Sequence, residues 1–476
     1  MNGIKKNFRT VMQLMSILII IGLFFSCERV SEEGLIADDK VDLPEVSEVL
    51  DCGECTYIVN EHETNGKELN IQPGDVICLE SGRNYGPLLF KNIVGTMADP
   101  VIIKNCGGVA TIDSDGSFGM KFQNSKHFKL LGDGSKEKYG IKVSTSSGFF
   151  VMMEYFTNSF TISQIEVAGK EPGGRGENSG FSGIGIKTSP YQDCDLFTDE
   201  TRQAWIMKDI EVSNNYIHDT GGEGLYVGHG FYAGRKEKDC GQVTYSHSIQ
   251  NIRIFDNIIE NVGFDGIQIK NADRNVEVFD NQIRGFGLRD HGAHNEGLFI
   301  GEGSTGQYYN NLIMDGTGNG IQYQGMGNVD IFNNVIVNAK GNGFFGAHGQ
   351  FVYRIPNGYH NILNNTFVNI GEVGFTFYND DGGVKRLMNN VFAGVGGDMT
   401  SKGAELDSAN NLFTQDVESL GFVDVGNGKL RLKSDSPLID AGIDETYELG
   451  VIFDYKDDPR PAGSSVDIGA FEYQQD

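Results

Sequence analysis

Three acidic residues recur at the same place in a repeated motif. The stretches EGLYVGH from Glu223, DGIQIKN from Asp265 and EGLFIGE from Glu296 each place an acid before a glycine and a short strand, and Asn319 and Asn342 continue the pattern. On stacked parallel strands, such positions lie about 4.8 Å apart. Ionised acids at that spacing repel, so either one keeps its proton or a cation lies among them.

We expect Ca²⁺ as the cation, with Glu223, Asp265 and Glu296 as its ligands, because Ca²⁺ takes several oxygen ligands. The alternative is purely structural: acids at a turn often only accept hydrogen bonds from backbone N–H groups. The two interpretations remain open at this point.

Groups able to transfer protons surround this motif. Lys270 ends the repeat that begins at Asp265, and Lys187 in SGIGIKT is its counterpart in an earlier repeat. The run RDHGAHNE places two histidines directly before Glu296. Lysine, histidine and carboxyl groups are the usual general acids and bases. We therefore predict these catalytic residues: Lys270, Asp265, Glu296, His294 and His291.

Alternation along the strands separates core residues from candidate ligand contacts. Leu225 and Val227 are predicted to point inward, as are their counterparts in the next repeats. The outward positions and the adjoining loops supply the predicted substrate-binding residues: Tyr226, Gln268, Phe299, Gln322, His229 and Arg289. Aromatic rings there could stack on sugar rings, or they could form a packed stack on an outward face.

A second repeat predicts the architecture. Segments such as IEVSNNYIHD from Ile210, IRIFDNIIEN from Ile252 and VDIFNNVIVN from Val329 join two short strands through a polar pair that ends in asparagine. Repeats of this size indicate a solenoid, whose turns bury their apolar faces only by stacking. Asparagine tolerates left-handed backbone, so we expect the pairs to lie at bends and to form a hydrogen-bonded ladder.

These repeats resemble the right-handed parallel β-helix of the pectin-lyase-like superfamily. The start of the repeats, from Leu69 to Asp113, is similar to the opening of many secreted β-helix proteins, and the C-terminal segment ending in VDIGAFEY is similar to the terminal module of many Bacteroidetes β-helix proteins. The resemblance implies an all-β fold: an N-terminal cap, a β-helix over residues 55–415 and a small C-terminal cap module over 416–476. We expect the distinctive polar residues of this C-terminal module to serve the cap: Asp440, Asp454, Arg460 and Asp467.

The N-terminal segment indicates export. A basic start, an apolar run and Cys27 resemble a lipoprotein signal over residues 1–26, followed by an acidic linker over 27–54. A single-pass membrane anchor is the alternative. We expect a monomeric outer-membrane lipoprotein, lipidated at Cys27 and exposed at the cell surface, or else facing the periplasm. Six further cysteines predict disulfides or buried thiols.

The composition and the resemblance together reduce the number of functional classes to consider. The net charge of −27 argues against nucleic acid as a partner. The resemblance implies a polysaccharide substrate. β-Helix lyases resembling chondroitinase B and alginate lyases place a lysine and an arginine base with acids on such a face, and Lys270 beside Glu223, Asp265 and Glu296 is similar to that arrangement. No arginine lies on the neighbouring strand, so the match is partial. We therefore expect a lyase that acts on a uronic-acid-containing glycan.

Two alternatives remain. A polygalacturonase-like glycoside hydrolase is suggested by GHG at Gly228–Gly230, although the Asn-Thr-Asp and paired-Asp motifs of those enzymes are absent before it. A glycan-binding or adhesive protein without catalysis is the other.

Overall fold

A computed structural model describes residues 49–171, 173–174, 178–189, 194–236, 240–347, 354–378, 383–402 and 405–474. The signal segment, Cys27 and most of the acidic linker therefore lie outside the described residues. No helix in the described ranges combines the length and the apolar character that a membrane span requires.

The chain winds into a parallel β-helix with three faces. In the described part, the first face stacks these strands: Tyr57–Ile58, Val76–Glu80, Val101–Cys106, Lys126–Leu131, Asn158–Ser163, Met207–Ser213, Ile249–Phe255, Ala272–Phe279, Gly306–Tyr309, Val329–Phe332, His360–Leu363, Lys385–Met388 and Asp407–Ala409. Each strand pairs in parallel with the strand of the next coil.

The second face follows the asparagine bend of each coil. Its strands are Asn84–Tyr85, Ala110–Ser114, Ile141–Thr145, Ile165–Ala168, Tyr216–His218, Ile258–Glu260, Gln282–Arg284, Leu312–Gly316, Val335–Ala339, Thr366–Tyr378, Val391–Lys402 and Leu412–Thr414.

The third face carries the acidic repeat. Its strands are Glu63–Asn65, Leu88–Lys91, Phe118–Gln123, Phe149–Glu154, Ile184–Ile186, Leu225–Val227, Ile267–Ile269, Leu298–Ile300, Ile321–Tyr323 and Phe344–Gly346. The long strands Thr366–Tyr378 and Val391–Lys402 run from the second face into this one.

The asparagine pairs form the predicted bends and ladder. The first residue of each pair, from Asn214 to Asn410, has left-handed backbone, with φ between 49° and 58°. The second residue donates from Nδ2 to Oδ1 of its neighbour at 2.9–3.0 Å. The ladder contains Asn215, Asn257, Asn281, Asn311, Asn334, Asn365, Asn390 and Asn411. Both predictions for these pairs are confirmed, and the ladder satisfies buried amides that the bends would otherwise leave unpaired.

Alternate side chains fill the interior. Leu225, Val227 and their counterparts on neighbouring coils are fully buried in one continuous apolar cluster that runs from Val59 to Val395. Rings on successive coils stack within it, as Phe90 does on Phe122 with centroids 4.8 Å apart. Burial of apolar surface between coils is what holds a solenoid together, because a single coil cannot cover its own apolar face.

Three disulfides hold the described cysteines: Cys52–Cys106, Cys55–Cys78 and Cys194–Cys240. The first two tie the short 3₁₀ turn Cys52–Glu54 and the residues after it to the opening coils. The third joins the insertion that begins with the 3₁₀ turn Cys194–Leu196 to the later insertion that contains the hairpin of Arg235–Lys236 and Val243–Thr244. The prediction of structural bridges is confirmed.

The C-terminal module lies against the flank of the last coils. It contains the 3₁₀ turns Glu418–Leu420 and Val425–Asn427, the hairpin of Phe422–Asp424 and Lys429–Leu432, and the helix Glu445–Glu448. Its apolar residues, such as Phe422 and Phe471, pack on outward residues of the second face, such as Leu312 and Val335.

The first asparagines of the bends hold the module's backbone. Asn333 donates to the carbonyl of Phe453 at 2.7 Å, and Asn364 donates to that of Asp467 at 3.1 Å. The polar residues singled out in the sequence organise the module itself. Arg460 is buried and donates to Glu472 at 2.8 Å, and Asp440 N donates to Asp467 at 2.7 Å. Asp454 accepts from the amides of Lys456 and Asp458.

Candidate functional site

The three acids form the predicted column. Leu225 pairs with Ile267 and Ile267 with Leu298, so the acids two residues earlier occupy the same position on three consecutive coils. The backbone hydrogen bonds run through them: Gly224 N donates to Asp265 O at 3.0 Å, and Gly266 N donates to Glu296 O at 2.9 Å. Asn319 and Asn342 continue the column, as the repeat predicted.

The column is buried, and burial changes the pKa of two of its acids. Glu223, Asp265 and Glu296 are 1%, 0% and 2% exposed. Burial, followed by the charge of Asp265, raises the pKa of Glu296 to about 9, and burial raises the pKa of Asp265 to about 7. The two carboxyls are in direct contact, and each shifts the pKa of the other. Glu296 therefore keeps its proton at neutral pH, which is one of the two arrangements expected from the sequence.

A histidine lies beside two of the predicted metal ligands. The Nδ1 atom of His294 lies 3.5 Å from Oδ2 of Asp265 and 3.8 Å from Oε1 of Glu223. One ligand atom from each of these three residues lies within 4.8 Å of the other two. Glu296, the third ligand expected from the sequence, is not in this group: its Oε2 accepts from Asn295 N at 2.9 Å and its carboxyl contacts Asp265.

Loop contacts position His294. The tight turn from His291 to His294 is closed by a hydrogen bond of 2.7 Å from His294 N to His291 O. The His294 ring stacks on Phe264 with centroids 5.5 Å apart. His291 is exposed on the outer side of the same turn. Of the two predicted histidines, the structure brings only His294 to the acids.

Two lysines lie beside the acids. Lys187 and Lys270 occupy one position in the coil register, separated by the coil of Gly228. Lys187 Nζ lies 3.7 Å from the ring centroid of Tyr226, and Lys270 Nζ lies 4.6 Å from that of Phe299. Burial lowers the pKa of Lys187 to about 8 and also lowers that of Lys270, against the charge of Asp265.

Glycines make room for Lys270. A Cβ atom at Gly301 would lie 2.4 Å from Lys270 Cγ, and one at Gly228 would lie 1.9 Å from the Lys270 carbonyl oxygen. Gly228 also has φ of +81°, a conformation that side chains with Cβ disfavour. The conformation of the lysine thus depends on two positions without side chains.

The predicted substrate-binding side chains are less accessible than the sequence suggested. They point away from the apolar core, yet Gln268 and Phe299 are 0% and 3% exposed, whereas Tyr226 and Gln322 are half-buried. Lys270 lies over the ring of Phe299, and Lys187 lies over that of Tyr226. At Phe299 the structure therefore shows the packed ring that was one of the two alternatives.

The two remaining predicted substrate-binding residues are His229 and Arg289. Burial lowers the pKa of His229 to about 3, so its imidazole is neutral, and its Nδ1 makes no hydrogen bond. Both amide atoms of Gln268 also lack a hydrogen-bond partner among the described residues. Arg289 Nε donates to Gly174 O at 3.2 Å and so braces two loops against each other. Buried polar atoms without partners are rare in folded proteins and often mark a ligand site.

Two residues that contact the site, Ser182 and Phe264, were not among those predicted from the sequence. Ser182 donates from Oγ to Oε2 of Glu223, and it occupies the acid's position one coil earlier, directly before Gly183. Phe264 precedes Asp265 and holds the His294 ring. The alignment of SGIGIKT with the acidic repeats contained the signal for Ser182. Nothing in the repeat pattern indicated Phe264.

Comparison with known proteins supports the fold. Residues 203–413 match the family model described as right handed beta helix region. No curated protein matches the chain. Pectate lyase Pel9A aligns at 14% identity and TM-score 0.48, covering 90% of this chain and 100% of that one.

Two further solved structures are similar in the same way. The alginate lyase from Paenibacillus sp. str. FPU-7 aligns at 18% identity and TM-score 0.33, over 76% of this chain and 98% of that one. The PL6 polysaccharide lyase Pedsa3628 from Pseudopedobacter saltans aligns at 14% identity and TM-score 0.36, over 86% and 99%. The chain is a right-handed parallel β-helix.

Proposed function

We propose that this protein cleaves a uronic-acid-containing polysaccharide by β-elimination, with Lys270 as the general base. One observation carries the proposal: two half-buried lysines of lowered pKa stand beside two buried carboxyls and the half-buried imidazole of His294 on one face of the helix. β-Elimination needs a base for the C5 proton, an acid for the leaving oxygen and neutralisation of the uronate carboxylate.

The side chains on this face of the β-helix fit these roles. Burial favours the neutral amine of Lys270, which is the form that accepts a proton. Burial also raises the pKa of Tyr226, so its hydroxyl stays protonated and able to donate to the leaving oxygen. A cation held by Glu223, Asp265 and His294 would supply the neutralising charge when bound.

Glycoside hydrolysis fits the geometry less well. Hydrolases place two carboxyl groups on either side of the scissile bond, about 5 Å apart or more. Asp265 and Glu296 instead lie buried in direct contact in the same column, which leaves little room for a glycosidic bond between them.

The location is part of the proposal. The first 27 residues resemble a lipoprotein signal, which supports a lipid anchor at Cys27 in the outer membrane and a polysaccharide substrate at the cell surface.

The test is the ultraviolet absorbance of the unsaturated product. We would incubate the protein with alginate, pectate, chondroitin sulfate and heparan sulfate, with and without added divalent cations. Lys270→Ala should lower the rate about 10²–10⁴-fold, the usual contribution of a general base. Lys129→Ala, which removes an exposed lysine on the first face, is the matched control and should keep the full rate.

The outcomes separate the classes of function. A flat trace on every polymer, or a Lys270→Ala protein as active as the control, would contradict the lyase. Release of reducing ends without the absorbance change would indicate a hydrolase instead.

A further inference from the structure

We infer that Glu223, Asp265 and His294 form a binding site for one transition-metal ion of the zinc class. The inference deepens the proposed function, since the ion would lie beside Lys270 in the same site. It differs from the calcium site expected from the sequence in both its ligands and its ion.

The spacing of the ligand atoms fits a shared metal ion. His294 Nδ1 is 3.5 Å from Asp265 Oδ2 and 3.8 Å from Glu223 Oε1. Two ligands on a tetrahedral zinc lie about 3.4 Å apart, given bonds of about 2.0–2.2 Å. These atoms are too distant for good hydrogen bonds and close enough to share one ion.

The other oxygen of each carboxylate is already held. Ser182 Oγ donates to Glu223 Oε2, and Glu296 N donates to Asp265 Oδ1 at 3.0 Å. The oxygens nearest His294 are the opposite ones, Glu223 Oε1 and Asp265 Oδ2. Hydrogen bonds that orient ligating carboxylates in this way are a regular feature of metal sites.

A second observation points to a ligand at this place. Asp265 is 0% exposed, yet its Oδ2 makes no hydrogen bond, and neither does His294 Nδ1. A buried carboxylate oxygen without a donor is costly unless a cation satisfies it. The pair is therefore arranged for a ligand that accepts electron pairs from both atoms.

The donor set selects the ion. Imidazole nitrogen suits zinc and its neighbours, whereas Ca²⁺ takes six to eight oxygens and Mg²⁺ an octahedron of oxygens. Three protein ligands leave a fourth position for water or a substrate oxygen. The His294 side chain is 32% exposed, so one side of the site is open to solvent.

The experiment measures the bound metal directly. The full-length protein would be stripped with chelator, dialysed against equal concentrations of Zn²⁺ and Ca²⁺, and analysed by mass spectrometry of its metal content. We expect one zinc per chain, lost in His294→Ala and in Glu223→Gln. His291→Ala removes the neighbouring exposed histidine and should keep the zinc. Loading wild-type protein with Co²⁺ should give the visible absorption of a four-coordinate site.

Two results would overturn the inference. One is calcium bound in preference to zinc. The other is zinc retained by both His294→Ala and Glu223→Gln, with no four-coordinate cobalt spectrum in the wild type. The cobalt spectrum needs no variant, so a variant that misfolds leaves the test intact. Because no glycan is present, zinc binding without lyase activity would reject the proposed function alone, and activity without zinc would reject the metal site alone.

Discussion

Asp280 lies where the C-terminal module meets the β-helix, and its charge should weaken the fold. It is the first residue of a bend pair, with φ of 53°, and it is hydrogen-bonded to Asn310. Burial, then the charges of Asp457 in the module and Asp256 on the next coil, raises its pKa to about 7. We predict that Asp280→Asn stabilises the protein at alkaline pH.

The sign and size follow from linkage. The pKa of Asp280 is 3.8 when unperturbed and about 7 in the folded protein, so the folded state binds the proton more tightly. The stability is therefore unaffected below about pH 4, falls as the pH rises towards 7, and is constant above that. The full interval corresponds to about 4 kcal/mol. Because Asp280 is only partly buried and water screens its charge, we expect about 2 kcal/mol.

The assay is unfolding in guanidinium chloride, followed by far-ultraviolet circular dichroism at pH 8, 6 and 4. Asp280→Asn should raise the free energy of unfolding by about 2 kcal/mol at pH 8, by less at pH 6 and not at pH 4. Asp315→Asn is the control, because Asp315 has the same left-handed backbone, with φ of 59°, but is exposed. An equal gain in both variants, or a gain that persists at pH 4, would refute the reasoning.

Two further perturbations test the fold, beside the Lys270 and His294 variants already described. Asn311→Ala should lower the free energy of unfolding by about 2–5 kcal/mol, because it leaves buried backbone groups of neighbouring coils unpaired. Asn411→Ala, at the half-buried end of the ladder, should cost less than half of that. Equal losses in chemical denaturation would contradict the ladder's role. Replacing Cys194 and Cys240 with serine removes a bridge between residues 46 positions apart and should destabilise the two insertions that it joins by up to about 4 kcal/mol. The loss should appear as faster limited proteolysis of these insertions with unchanged circular dichroism of the coils. Unaltered proteolysis would show that the bridge is dispensable.

The sequence predicts the coils because their rules are local. In each bend pair, the first residue must be one that tolerates left-handed backbone, and the second must both donate and accept, which selects asparagine. Asn214 and Asn215 show the two roles side by side: one has φ of 58°, and the other donates to Asn257 at 2.9 Å. Once such pairs align, the strand register and the inward positions follow from alternation.

The site is only partly predictable, because the repeat fixes backbone positions but not side-chain directions. The column of acids follows from the register, yet whether Glu296 turns towards the others depends on Asn295 and the loop before it. His294 reaches the acids through a turn held by Phe264, a contact without any repeat signature. The packing of the C-terminal module on the second face likewise joins residues more than a hundred positions apart, such as Asn333 and Phe453.

The column itself shows how an acid differs from an amide at this position of the coil. At its far end, Asn342 donates to Asn319 Oδ1 at 2.9 Å and accepts from Thr376 at 3.0 Å, so the amides form a closed chain of hydrogen bonds. An amide both donates and accepts, whereas an ionised carboxylate only accepts. Acids at the same position therefore break the chain, and the break lies at Asp265, whose Oδ2 has no donor. Amides alone are enough to satisfy the hydrogen bonds of these turns. Carboxylates at the same position add negative charge that a cation or a proton must neutralise.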